Sequence, residues 1–256
     1  MIKVAVCGAL GKMGSEVVLA VTEAEGMEVA ALIDIAATGQ EINGIKFENN
    51  LASALKNTKV DVIVDFTQPK SVYENAITAI NVGVKPVIGT TGLSDEQIAE
   101  LKKLSEEKNT GILIAPNFAI GAVLMMKFSQ MAAKYFKNAE IIELHHNQKK
   151  DAPSGTAIKT AQLMASVQDN FANGNCVEVE TIEGSRGGNF DSNIRIHSVR
   201  MPGFVASQEV IFGAGGETLK IRHDSIDRKC FMSGVVLSVR YIFENNNFIY
   251  GLENIL

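Results

Sequence analysis

The sequence predicts an α/β protein: a doubly wound parallel sheet in the N-terminal half, followed by a smaller α+β region with an open mixed sheet. Three observations carry this. Residues 1 to 115 alternate nearly continuous apolar runs with helical patterns, as strands covered on both faces require. A glycine-rich turn, CGALGKMG, joins the first apolar run to the first helical pattern. Beyond Asn117 the rhythm becomes runs of strands joined by glycine turns.

The elements follow in order. IKVAVCG, EVAALID, VDVIVDF, VKPVIG and GILIAP read as buried strands. Of the helices between them, the clearest runs from Ser94 to Lys108. Ser94 and Gln97 form an S-x-x-Q capping box there, and Gly111 follows the helix end. A helix from about Gly121 to Lys134 leads to the strand AEIIELHH, the turn DAPSGTA and a helix through Ala165. VEVETIEG, NIRIHSVR, QEVIFG and TLKIRHD then read as strands. A last long helix from Asp227 to about Glu244, capped by Asp227, precedes the short strand FIYG. This predicts two domains, the first spanning residues 1–117.

Composition narrows the function classes. With 256 residues the chain can bury a substantial core, and 46% hydrophobic and 21% charged residues suit a globular protein. A net charge of -5 gives no electrostatic footprint for nucleic acid or an anionic membrane. No apolar run approaches a membrane span, and MIKVAVCGALGKMG reads as a strand and glycine loop rather than a signal peptide. Cys7, Cys176 and Cys230 are odd in number, far apart and without metal-ligand spacing. They predict a reducing, cytoplasmic setting with no disulfide framework and no metal site.

In VAVCGALGKMGSEVV, Gly8, Gly11 and Gly14 form a G-x-x-G-x-x-G variant of the dinucleotide fingerprint. Its glycines allow a tight turn and close approach of backbone to a pyrophosphate, which the following helix N-terminus favours. Asp34 ends the next strand about 20 residues on, where a carboxylate can hold ribose hydroxyls. A carboxylate repels a 2'-phosphate, and after Asp34 no cation appears until Lys46, which favours NADH; Lys12 leaves NADPH open. The loops GTTG (Gly89 to Gly92) and APNFAIG (Ala115 to Gly121) fall at later strand ends, where such a sheet presents ligands.

The segment ELHHNQKKDAPSGTA, Glu143 to Ala157, holds two of the chain's four histidines. Ser154 reads as a helix N-cap, after which Gly155 and Thr156 offer N–H groups suited to a carboxylate. His145 and His146 lie at a strand end and point to opposite faces. Lys149 is near enough in sequence to donate a proton or neutralise an anion there.

This segment resembles the pattern E-[LI]-H-H-x-x-K-x-D-A-P-S-G-T-A of the 4-hydroxy-tetrahydrodipicolinate (dihydrodipicolinate) reductase family. CGALGKMG, DFTQP, VIGTTGLS, APNFAIG, HSVRMPG and RHDSIDRKCFMSGV resemble further family segments in the same order. The resemblance implies a Rossmann-like nucleotide domain and reduction of a small cyclic dicarboxylate, (2S,4S)-4-hydroxy-2,3,4,5-tetrahydrodipicolinate. The product is tetrahydrodipicolinate, formed with NAD(P)H and loss of water on the diaminopimelate route to lysine. Carried over by motif, His145 and Lys149 are catalytic, and His146, Gly155 and Thr156 bind substrate. Cofactor contacts fall on Gly8, Ala9, Leu10, Gly11, Lys12, Met13, Asp34, Gly89, Thr90, Thr91, Ala115, Pro116, Asn117 and Phe118. The resemblance also implies a substrate-binding and tetramerisation domain over 118–225, with 226–256 returning to the nucleotide domain, and a homotetramer. Here Lys12 stands where the family usually has arginine, and Ser207-Gln208 where a histidine is common.

Two other readings compete. A different two-domain NAD(P)-dependent oxidoreductase acting on a sugar or semialdehyde is disfavoured, because Lys85-Pro86 precedes its strand and carries no glutamate before it. A non-catalytic dinucleotide sensor does not require His145, His146 and Lys149 together at an anion-binding turn.

Overall fold

The computed structural model describes residues 1–172 and 176–256. The chain divides into two compact units, residues 1–120 with 228–256, and residues 121–227.

The first unit is built on β1 (Ile2–Cys7), β2 (Met27–Ile33), β3 (Glu41–Ile42), β4 (Ile45–Glu48), β5 (Val62–Asp65), β6 (Lys85–Ile88) and β7 (Ile112–Ile114). Helices α1 (Lys12–Glu23), α2 (Leu51–Asn57), α3 (Pro69–Asn81) and α4 (Asp95–Lys108) connect them. The pairings β1–β2, β1–β5, β5–β6 and β6–β7 are all parallel, with no exposed surface on Val4, Val6, Ile63 or Val87. The chain winds outward from β1 to β2 on one side and to β5 on the other. The switch point of the sheet therefore lies between β1 and β5, where Cys7 is opposite Asp65.

Two expectations change here. A short hairpin, β3–β4, closes one edge of the sheet through Asn43 and Gly44, both at positive φ, in a stretch where no strand was expected. At α4 the expected capping box forms and the helix ends at Lys108 as expected, but its C-cap is Asn109 in the left-handed region, so the glycine that follows takes no part in the cap. Gly111 answers another need: a Cβ there would sit 2.4 Å from the Asn245 carbonyl oxygen.

The second unit contains α5 (Ile120–Ala133), β8 (Asn138–His145), α6 (Gly155–Ala165), β9 (Gly188–Phe190), β10 (Ile194–Arg200), β11 (Ala206–Ala214) and β12 (Glu217–Ser225). Its five-stranded sheet runs β12-β11-β8-β10-β9 and is mixed: β8 pairs parallel with β10 and antiparallel with β11. The period of two puts Ala139, Ile141, Glu143 and His145 on one face of β8. Ala157, Ala161 and Met164 of α6 join Ala139 and Ile141 in one buried cluster.

VEVETIEG, expected as a strand, forms bends and turns instead. Val177, at 94% exposure, and Val179 lie open to solvent, and among the described residues no strand pairs with this segment. The chain then returns to the first unit through α7 (Met232–Glu244) and β13 (Phe248–Tyr250), which pairs parallel with β7. Asp227 does not cap α7: a 3-10 turn, Arg228–Phe231, intervenes, and the residue before the helix is Phe231.

Candidate active site

In the second unit the chemistry gathers where β8 ends and α6 begins. Glu143 occupies a face that is otherwise core and has 0% exposure. A carboxylate buried there must be matched by donors. The Arg200 guanidinium supplies two, Nη2 to Oε1 at 2.7 Å and Nη1 to Oε2 at 2.9 Å, and the Ser154 N–H supplies a third at 3.3 Å. The His145 ring makes the fourth contact, Nδ1 to Glu143 Oε2. Burial alone would push the Glu143 carboxyl up; the hydrogen bonds from His145, Arg200 and Ser198 outweigh it and hold the group at about 2.

This contact decides the state of the imidazole. A carboxylate only accepts, so Nδ1 carries the hydrogen and Nε2 is left to exchange a proton with a ligand. Arg200 also donates to the Asp151 carbonyl at 2.8 Å, and the Met201 N–H donates to the His145 carbonyl at 3.0 Å. The end of β10 thus fastens both the histidine and the turn that follows.

Lys149 Nζ donates to both oxygens of Asp151 at 2.8 Å. The Lys149 hydrogen bond leads the effects that hold the Asp151 carboxyl below the usual range. His146 turns away from the Glu143 side, its Nδ1 accepting from the Gln148 N–H at 3.2 Å. Ser154 caps α6 as expected, accepting from the Ala157 N–H at 3.2 Å. At Gly155 a Cβ would meet no atom within 4 Å, so a ligand can approach the backbone of the first turn.

In the first unit the glycine loop follows β1 at the switch point. Gly8 has φ +80°, and a Cβ there would lie 2.4 Å from the Phe66 carbonyl oxygen; at Gly14 it would lie 2.0 Å from the Gly8 carbonyl oxygen. Two glycines are thus fixed by close backbone packing. Gly8, Gly11 and Asp34 line a cleft of about 490 Å³ with Thr67, Lys70 and Asn75. The Asp34 carboxylate accepts from the Leu10 and Ala36 N–H groups, both at 3.0 Å, which ties the strand end to the glycine loop.

A second, smaller cleft of about 130 Å³ is lined by Thr90, Thr91, Ala115 and Pro116 with Tyr250. Other expected residues support these walls without lining them. Ala9 and Phe118 are buried, Phe118 lies 5.7 Å from the Phe66 ring, and Asn117 accepts from the Ala119 N–H at 2.9 Å. Gly89 is needed because a Cβ there would strike the Phe66 ring at 2.2 Å. Lys12 is exposed and Met13 half-buried at the start of α1.

The residues that sequence reasoning left without a role are Glu143, Arg200, Lys70 and Asp65. For Glu143 the signal was present: alternation from Ile141 puts it on the core face, two residues before His145. Arg200 has no local signal, since only the β8–β10 pairing brings it to the site.

Comparison with known proteins shows the family. Residues 2–118 match the family model "Dihydrodipicolinate reductase, N-terminus", and residues 121–256 match "Dihydrodipicolinate reductase, C-terminus". The chain is 52% identical to the 4-hydroxy-tetrahydrodipicolinate reductase of Syntrophomonas wolfei, over 99% of this chain and 98% of that one. It is 54% identical to the enzyme of that name from Listeria monocytogenes, over 99% of both chains. Among solved structures, the dipicolinate-bound dihydrodipicolinate reductase from Paenisporosarcina sp. TG-14 superposes with a TM-score of 0.93 at 46% identity, covering 100% of both chains. An amine dehydrogenase from Mycobacterium smegmatis, with a TM-score of 0.69 at 12% identity, shares the fold alone.

Proposed function

The chain belongs to the dihydrodipicolinate reductase family, and on that premise we propose how its two units share the reaction. It reduces 4-hydroxy-tetrahydrodipicolinate with NADH or NADPH, a step of lysine biosynthesis. The observation that carries the reading is the buried Glu143–His145 contact beside Lys149 and the open first turn of α6.

In this reading Gly155 and Thr156 hold a substrate carboxylate at the N-terminus of α6, where backbone N–H groups and the helix dipole favour an anion. His146 contacts the substrate from the rim. His145, its Nδ1–H committed to Glu143, exchanges a proton through Nε2, and Lys149 donates the proton that completes reduction and loss of water. Asp151 holds Lys149 beside the site until substrate carboxylates compete for the ammonium.

The dinucleotide, when bound, supplies the hydride. The first unit fits such a group: the glycine loop lets backbone approach a pyrophosphate, and the cleft beside Asp34 has room for the adenosine half. Thr90, Thr91, Ala115 and Pro116 would line the nicotinamide end. We infer a preference for NADH, because the Asp34 carboxylate faces the position of a 2'-phosphate, with Lys70 in the same cleft sustaining some use of NADPH.

Among the described residues no group of three or more His, Cys, Asp and Glu side chains is placed to hold a metal ion. No helix among them is long and apolar enough to cross a membrane. A homotetramer is the assembly we propose. The sheet face of the second unit opposite α6 presents half-buried Ile142, Leu144, Val199 and Ile211, flanked by the Arg186–Glu140 and Arg222–Glu209 ion pairs.

The test is oxidation of reduced nicotinamide in a coupled assay, with substrate made in place from pyruvate and aspartate semialdehyde by a synthase. Turnover that depends on the synthase is expected. Folded protein that binds NADH yet gives no turnover with either cofactor would overturn the reading.

A further inference from the structure

Asp65 is the last residue of β5, at the switch point of the first sheet, and has 0% exposure. Its partners among the described residues are all neutral. The Thr67 N–H and hydroxyl donate to Oδ1 at 3.0 and 2.7 Å, the Thr90 hydroxyl donates to Oδ1 at 2.8 Å, and the Asn75 amide donates to Oδ2 at 2.8 Å. The Asp65 carbonyl accepts from the Gly89 N–H at 2.9 Å and the Thr90 N–H at 3.2 Å, with the Thr90 hydroxyl also 3.3 Å away.

A buried carboxylate without a cation is costly, and a core strand end does not need one for packing. The donors show what it organises. Thr67 and Asn75 line the larger cleft, which holds Gly8 and Asp34, while Thr90 lines the smaller one. The Thr67 N–H also donates to the Thr90 hydroxyl at 2.8 Å, so the two loops are joined directly as well as through the carboxylate. The Asp65 side chain thus hydrogen-bonds residues of both clefts.

We propose that Asp65 is the positioning residue that locks the loops after β5 and β6 into one preformed dinucleotide site. It touches no ligand itself; it fixes the spacing between the Thr67–Asn75 wall and the Thr90 wall, so that both halves of the dinucleotide meet a rigid surface. Preorganisation of this kind appears in affinity, because loops left mobile must be ordered on binding. The proposal rests on the first unit holding the dinucleotide.

The test uses Asp65→Asn, Thr90→Val and the double variant, with NADH binding followed by its fluorescence, steady-state kinetics, and inhibition by dipicolinate. Asp65→Asn is expected to raise the Kd and KM for NADH about tenfold while kcat falls less than threefold and the dipicolinate inhibition constant stays within twofold. The double variant should bind no worse than the weaker single, since both changes cut the same link. Should Asp65→Asn not fold, Thr67→Val, which removes one hydroxyl, carries the same expectation at about threefold.

An unchanged NADH affinity in folded Asp65→Asn overturns the proposal. So do effects that multiply in the double variant, or losses spread equally over kcat and dipicolinate inhibition, which mark general destabilisation. Wild-type protein that bound no NADH would instead overturn the assignment of the first unit, a distinct failure.

Discussion

Arg200 grips Glu143 through its two terminal guanidinium nitrogens, at 2.7 and 2.9 Å, on a sheet face where Glu143 is fully buried. The pair holds His145 in place: the carboxylate fixes the Nδ1–H tautomer, and Arg200 fixes the carboxylate. Glu143→Gln keeps the shape but presents an amide, with its own N–H group, to the donors around it. Its kcat is expected to fall about 100-fold, within the usual range for losing an aligned acid-base group. The KM for substrate should change far less, since Glu143 is buried behind His145 and is not proposed to touch substrate. Wild-type kcat in folded Glu143→Gln would remove Glu143 from the machinery.

The same pair sets a limit on acid stability. In the folded protein Glu143 titrates at about 2, below the ordinary glutamate value near 4.3, so the unfolded chain binds more protons between those pH values. Stability from this group is complete above about pH 4.5 and is lost as pH falls towards 2, an effect on the order of 3 kcal/mol. Melting temperatures of wild type and Glu143→Gln measured from pH 5 down to 2.5 should converge, because only the wild type has this contribution to lose. Parallel curves would refute the assignment.

Arg200→Met removes the cation and leaves the carboxylate buried. Breaking a buried pair from one side typically costs about 3–5 kcal/mol, far more than an exposed pair. Arg200→Lys keeps the charge but not the fork, and should lie between. Urea unfolding curves of the three proteins should fall in that order. If Arg200→Met were as stable as wild type, the pair would not be holding the end of β8.

Lys149 tests the chemistry apart from cofactor binding. It lies in the second unit, joined to Asp151 by two contacts of 2.8 Å. Lys149→Ala is expected to lower kcat at least 100-fold while NADH affinity stays within twofold. Asp151→Asn should leave turnover within about tenfold, because it loosens the ammonium without removing it. Unimpaired turnover in Lys149→Ala would end the assignment of Lys149 as proton donor.

Much of this architecture was legible because burial writes itself into composition. Strands covered on both faces, such as Ile112–Ile114, must be apolar throughout, and Ser94 with Gln97 states a helix start in two residues. The segment Glu143 to Thr156 was legible as a site because a strand end, a cap and an open glycine are encoded locally. What escaped was set by partners distant in sequence. VEVETIEG has the alternation of a strand but no pairing strand among the described residues, and Asp227 has the chemistry of a cap while the chain takes a 3-10 turn first. Arg200 and Lys70 carry no local signal in the sequence; topology brings one to Glu143 and the other into the cleft with Asp34.

Lys70 therefore gives the sharpest test of cofactor choice. From sequence, Lys12 was the one cation near the glycine loop, yet it is exposed at the start of α1, whereas Lys70 lines the cleft beside Asp34. A 2'-phosphate placed there meets repulsion from Asp34 and attraction from Lys70, while the 2'-hydroxyl of NADH responds weakly to either charge. Lys70→Gln is expected to raise the KM for NADPH about fivefold to tenfold and to leave the KM for NADH within twofold. In wild type, added salt should weaken NADPH more than NADH, because this attraction is partly exposed and screened; the variant should lose that difference. Equal rises for both cofactors would mean that Lys70 shapes the cleft without reading the phosphate.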